Sequence, residues 1–246
     1  MKPHSVKPHY GIPITECGEP LVPIPLERFA WVSPHPYIAL GAPYGDKSPF
    51  FVRQTVLEQL HNAQAYLEKQ RSGWRLQIFD AYRPLGVQQF MVDYTFQTVV
   101  AEAGLDSTTL TEAERQTILQ QVYEFWAPPL IDPATPPPHS TGAAIDLTLV
   151  DQTGNPVEMG SAIDQLSPRS YPNYFATGMD IEEQRYHAHR QLLYESMQAA
   201  GFLRHPKEWW HFSYGDQLWA WLYQQANPDD LAIARYGRVE EVTISI

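Results

Sequence analysis

The chain has 246 residues, 43% hydrophobic and 18% charged, an ordinary globular balance with no linker to divide it, so one domain over 1–246 is expected. Its formal net charge of −11, with 17 Lys+Arg against 28 Asp+Glu and no basic cluster, excludes a nucleic-acid binder that works by phosphate neutralisation and suits a small zwitterionic or cationic ligand. The single cysteine, Cys17, excludes an intrachain disulfide and a cysteine-rich zinc site, so any metal must take His and carboxylate ligands.

The first residues, Met-Lys-Pro-His-Ser-Val-Lys-Pro-His-Tyr, lack an apolar signal core, and no later stretch is long and apolar enough to span a bilayer. No membrane partner and a cytoplasmic location are the expectations. Residues 1 to about 50 are rich in proline and aromatics, with turn signals at 34–37 and 43–45, and read as an extended arm over the core. From Arg53 to Gln70, Val56, Leu60, Ala63 and Leu67 fall at helical spacing and predict an amphipathic helix ended at Ser72-Gly73. Trp74 to Phe79 alternates as a strand and delivers Asp80-Ala81-Tyr82-Arg83-Pro84 at its exit.

Helices follow over about 87–103 and 112–126, the latter opened by a capping-box pair, Thr111 and Glu114. After Pro136-Pro137-Pro138 comes His139-Ser-Thr-Gly-Ala-Ala-Ile-Asp146, which turns at Gly142 into a buried strand. Alternation puts Ala144, Asp146 and Thr148 on one face and Ile145, Leu147 and Leu149 on the other. A carboxylate pointing from the middle of such a strand must be ion-paired, hydrogen-bonded, protonated or bound to a cation. Turns over 151–156 and a loop over 159–164 lead to a helix from about Asp180 to Ala200, stopped by Gly201. The segment from Glu208 to Tyr214 is strand-like, 217–225 is helical up to Asn227-Pro228, and 239–246 has weak strand character.

Of the histidines, His4, His9, His35, His61, His187, His189 and His205 fall in loops or on polar helix faces and read as solvent-side. His139 and His211 differ, because each adjoins an apolar strand with an acid nearby, Asp146 and Glu208. A zinc hydrolase needs three protein ligands, an open position for water and a base for the water's proton, and these four residues meet that inventory. Residues three apart on a strand face opposite ways, so Glu208 can converge with His211 only from a turn before the strand. Arg83 reads two ways, as an oxyanion-stabilising guanidinium or as a surface partner of Asp80. Trp209 and Trp210 read as core or wall residues.

His139-x-x-Gly142-x-Ala144-x-Asp146, Glu208-x-Trp210-His211 and Tyr82-Arg83-Pro84 together resemble the D-alanyl-D-alanine dipeptidases of the VanX type, within the zinc DD-peptidases, over roughly residues 35 to 215. The likeness extends to the Met159-Gly160 loop ending in Asp164 and to Arg169-Ser170. It implies an α+β domain of the Hedgehog/DD-peptidase-like fold: a mainly antiparallel sheet flanked by helices, with the metal site at one sheet edge. It further implies one Zn²⁺ per chain held by His139, Asp146 and His211, Glu208 as catalytic base, and Arg83 stabilising the transition state. Asp164 then holds the free amino group of a small dipeptide substrate, with Tyr37 at the same end. The pattern departs at Pro137, where the family has Ser, so that position offers neither a hydroxyl nor a backbone N–H. The other readings are a zinc DD-carboxypeptidase or endopeptidase acting on peptidoglycan stems, and a catalytically silent zinc-containing binding module.

Overall fold

The structure is a computed structural model that describes residues 7–124 and 126–239. Its centre is β5 (Ala144–Val150), whose neighbours are β4 (Arg75–Asp80) and β7 (His211–Ser213); β2 (Ala30–Trp31) and β6 (Leu203–Arg204) complete a five-stranded sheet in the order β2-β4-β5-β7-β6. Only β2 and β4 run parallel, so the sheet is mainly antiparallel as expected. Asp146 and His211 sit on inner strands, β5 and β7, and His139 in the turn before β5, rather than at a sheet edge, a difference that follows from β7 pairing directly with β5.

One face of the sheet is apolar. Leu76 and Ile78 of β4 join Ile145, Leu147 and Leu149 of β5 against Val56, Leu60, Ala63 and Leu67 of α2 (Gln54–Gln70) and Leu193 and Met197 of α5 (Ile181–Ala199). Those α2 residues are fully buried, which is what their helical spacing predicted. Burying such side chains contributes about 1.5–3 kcal/mol each and fixes which face of β5 looks inward. Asp146 is left on the other face.

A β-bulge then supplies a second acid. Ile78 pairs with Leu147, but the register slips and Asp80, not Phe79, pairs with Asp146. Paired residues share a face, so the extra residue turns Asp80 from the apolar side onto the Asp146 side. Across β4, β5 and β7 the row reads Asp80, Asp146, His211.

A second apolar cluster joins Tyr37 and Tyr44 to Val87, Met91 and Phe96 of α3 (Leu85–Glu102) and to Ile118 and Val122 of α4 (Glu112–Val122). Here α4 opens on the expected capping box between Thr111 and Glu114, and stops four residues before the expected end. The arm before residue 50 is more structured than expected: β1 (Leu21–Pro23) pairs with β3 (Phe51–Arg53), β2 enters the main sheet, and α1 spans Pro36–Ala39. Backbone groups laid over a core need partners, and strand pairing provides them. After β7, α6 (Gln217–Ala226) packs against the segment Pro8–Gly11, and Gln217 Nε2 donates to Ile12 O at 2.7 Å. The strand expected over 239–246 lies, apart from Val239, outside the described residues. Among the described residues no helix is long and apolar enough to cross a membrane.

Candidate metal centre and active site

Pro137 and Pro138 preset the backbone for a 3-10 turn over Pro138–Thr141, and Ser140, within it, donates its Oγ back to Pro137 O at 2.7 Å. Gly142 follows at φ 72°, a left-handed conformation that lets the chain reverse into β5. This turn is zipped to the Arg83 turn, since Arg83 N donates to His139 O at 3.2 Å. His139 Nδ1 lies 2.7 Å from Ala81 O; a carbonyl only accepts, so Nδ1 carries the proton and Nε2 presents a lone pair.

That Nε2 lies 3.1 Å from His211 Nδ1 and 3.2 Å from Asp146 Oδ2, while His211 Nδ1 is 3.0 Å from Asp146 Oδ1. All the ligand atoms lie within 4.8 Å of one another, and all three residues are buried. Tetrahedral coordination with bonds of about 2.0–2.2 Å sets neighbouring donors about 3.4 Å apart, so this donor set fits a small divalent cation. On the outer side, Ser213 Oγ sits 3.5 Å from His211 Nε2 and donates to Asp216 Oδ2 at 2.8 Å, orienting the ring. Burial pushes the Asp146 carboxyl up, but His139 and His211 more than offset it and hold it well below the usual carboxylate range.

Glu208 lies in the turn before β7, as expected, with Oε2 3.8 Å from His211 Nδ1 and Oε1 3.5 Å from His205 Nδ1. Burial raises its carboxyl to about 7, with His211 pulling the other way. A carboxyl poised there exchanges protons readily near neutral pH. Trp209 and Trp210 are core residues, each 2% exposed, and Trp209 Nε1 donates to Ser161 Oγ at 2.9 Å.

Arg83 does pair with Asp80, but in the interior rather than at the surface. Its Nε donates to Asp80 Oδ2 at 2.8 Å, one terminal nitrogen donates to Gln88 Oε1 at 3.1 Å, and the other reaches Asp146 Oδ2 at 3.1 Å and Tyr37 Oη at 3.3 Å. The guanidinium also faces the Tyr37 and Trp126 rings, 5.1 Å from each centroid. Tyr37 in turn donates to Asp164 Oδ2 at 2.6 Å. Asp164 has φ 62°, the only positive φ outside glycine among the described residues, and burial lifts its carboxyl to about 7, helped by Asp146. Strain of this kind persists only where the surroundings hold it in place.

His139, Asp146, His211, Glu208, Arg83 and Asp164 all line one cavity of about 40 Å³, and Tyr37 reaches it through Arg83 and Asp164. Sequence reasoning named Asp80 as a surface partner of Arg83 and missed what stands behind it: Asp80, fully buried, accepts from Tyr44 Oη at 2.8 Å and lies 3.3 Å from His35 Nε2. An acid ending an apolar strand was the available signal. The solvent-side reading also fails for His9 and His35, 6% and 5% exposed, and for His205, which lines the cavity. Their apparent polarity came from proline- and turn-rich surroundings that the fold presses onto the site.

Two imidazoles and a carboxylate at coordinating distance, with an unligated glutamate alongside, define the class as a peptidase built around a candidate divalent-metal centre. The chain belongs to the peptidase M15 family, described as D-ala-D-ala dipeptidase, whose family model matches residues 32–230. It is 52% identical over 241 residues to a D-alanyl-D-alanine dipeptidase of Synechocystis sp., covering 96% of this chain and 98% of that one. Shorter matches are to proteins of the same name: 40% identity over 74 residues in Escherichia coli, covering 30% of this chain and 36% of the relative, and 39% over 80 residues in Enterococcus faecium, covering 32% and 37%.

Proposed function

We propose that this protein is a zinc-dependent dipeptidase that hydrolyses D-alanyl-D-alanine-type dipeptides with a free amino terminus, as one domain over 1–246 acting in the cytoplasm. The observation that carries the reading is a single cavity lined by His139, Asp146, His211, Glu208, Arg83 and Asp164. One Zn²⁺ held by the first three would polarise the scissile carbonyl and lower the pKa of water toward about 7. Glu208 takes a proton from the attacking water and returns it to the leaving amine, which its position beside His211 allows. Arg83, fixed by Asp80 and Gln88, offers donors to the oxygen on which negative charge develops. Asp164, with Tyr37, pairs with the substrate ammonium, which favours an unblocked amino end. Pro137 gives no side-chain donor, so selectivity among D,D-dipeptides is expected to be looser than the family pattern implies.

The test is hydrolysis of D-D, L-D, L-L and N-acetylated dipeptides by zinc-loaded protein, with and without chelator. Cleavage of D,D-dipeptides with a free amine, lost on chelation, is the expected result. Preference for N-blocked stem peptides would instead assign a carboxypeptidase or endopeptidase, and zinc binding without turnover a silent binding module. Glu208→Ala should keep zinc and lose about 10²–10⁴ in turnover, whereas His211→Ala should lose both; a Glu208→Ala protein with near-normal rates rules the mechanism out.

A further inference from the structure

Part of the cavity wall comes from residues ahead of the stretch matched by the family model. Lys7 and His9, at the start of the 3-10 turn Pro8–Gly11, line the cavity beside His205 and Glu208. The segment is tied down from both sides: Ile12 N donates to His9 O at 3.1 Å, Gln217 Nε2 holds Ile12 O at 2.7 Å, and Ile14 bridges to Ala234. Two features of this wall are unresolved by the protein itself. His9 is 6% exposed and its Nε2 has no hydrogen-bond partner, and the side chain of the half-buried Lys7 makes no ion pair or hydrogen bond with a described residue.

The chemistry of the reading above says what belongs there. In a dipeptide the terminal carboxylate is two bonds from the leaving nitrogen, and Glu208 must hand its proton to that nitrogen. The carboxylate therefore arrives beside Glu208, in the same cavity that Lys7 and His9 line. Asp164 is held instead by Tyr37 Oη at 2.6 Å, so the ammonium and carboxylate ends have different partners. We propose that Lys7, with His9 beside it, receives the terminal carboxylate of the dipeptide and is a specificity-determining residue for free-acid substrates. Burial holds the Lys7 ammonium below its ordinary value while Glu208 pulls it back up, and a substrate carboxylate would act in the same direction as Glu208. Lys7 thus supplies at the carboxyl end what Asp164 supplies at the amino end.

The inference rests on the dipeptidase reading, and its test compares D-Ala-D-Ala with D-alanyl-D-alaninamide, which lacks the charged end. Rates are measured on zinc-loaded wild-type, Lys7→Met, Lys7→Gln and Lys7→Arg proteins, and Kd by calorimetry in the Glu208→Ala background. A charge-assisted contact predicts that wild type favours the acid by at least about tenfold, mostly through KM and Kd. Lys7→Met and Lys7→Gln should bring that ratio to within about twofold, and Lys7→Arg should keep most of it. Undiminished preference for the acid in folded Lys7→Met or Lys7→Gln protein, or no preference in wild type, overturns the role of Lys7 while leaving dipeptide hydrolysis standing. Wild type that neither binds nor cleaves either ligand overturns both readings.

Discussion

Arg83 joins the two ends of the site, since its guanidinium holds Asp80 and Gln88 on one side and reaches Asp146 and Tyr37 on the other. Burial lowers its pKa, but Tyr37, Asp80 and Asp146 more than compensate, so it stays a cation. Removing it leaves the fully buried Asp80 with Tyr44, His35 and, 3.8 Å away, His139 Nδ1, and no permanent cation. Breaking a buried pair in this way costs about 3–5 kcal/mol, so Arg83→Ala should lower urea stability by about 3 kcal/mol as well as abolish turnover. Arg83→Lys should recover part of the stability but little activity, because an ammonium cannot make the forked contacts; equal stability of Arg83→Ala and wild type would remove Arg83 from its bridging place. The grouping of His139, Asp146 and His211 as a candidate metal site was legible in the sequence because each is marked by a strand or turn of its own. The burial of Arg83 was not, because its partners come from positions 37, 80, 88 and 146 and no local pattern links them.

Among the elements, the connection into β5 governs the geometry of the site. Gly142 sits at φ 72°, and a Cβ there would run into Leu21 Cδ2 and approach Arg53 N at 3.5 Å. Gly142→Ala should therefore destabilise by about 1–3 kcal/mol and weaken zinc retention by displacing His139, read by urea denaturation and metal titration. Adding Leu21→Ala should relieve the clash but not the backbone cost, so the double variant recovers only in part. The longer helices needed no tertiary information to be found: α2 and α5 follow a 3.6-residue apolar period, and α4 opens on a capping box. The bulge in β4 is different. Strict alternation places Asp80 with Leu76 and Ile78, and only the slipped pairing with β5 turns it toward Asp146.

At the scale of the whole molecule, the sheet separates two environments, an apolar face sealed by α2 and α5 and a charged face closed by α3, the segment between β2 and β3, and residues 7–9. Because the candidate metal ligands come from the turn before β5, from β5 and from β7, a cation bound there would tie together parts of the chain more than 60 residues apart. At a hundredfold excess over Kd, a ligand that binds only the folded state adds about 2.7 kcal/mol. Chelation should accordingly lower the melting temperature by about 5–10 °C, reversed by added Zn²⁺ and absent in His211→Ala. A melting temperature indifferent to chelator would mean that His139, Asp146 and His211 hold no ion in solution.

What the sequence by itself determined is what repeats along the chain or sits within one turn: the longer helices, the inward face of β5, the types of the three candidate ligands, and a glutamate that had to lie in a turn to meet His211. What only the tertiary structure decided is which distant groups share the cavity: Asp80 through the bulge, Arg83 through its buried partners, and Lys7 and His9 through the docking of the N-terminal segment on α6. The reason is physical. Periodicity and capping are set by neighbours a few residues away, whereas the pairing of charges across strands and segments is set by the packing that brings them together.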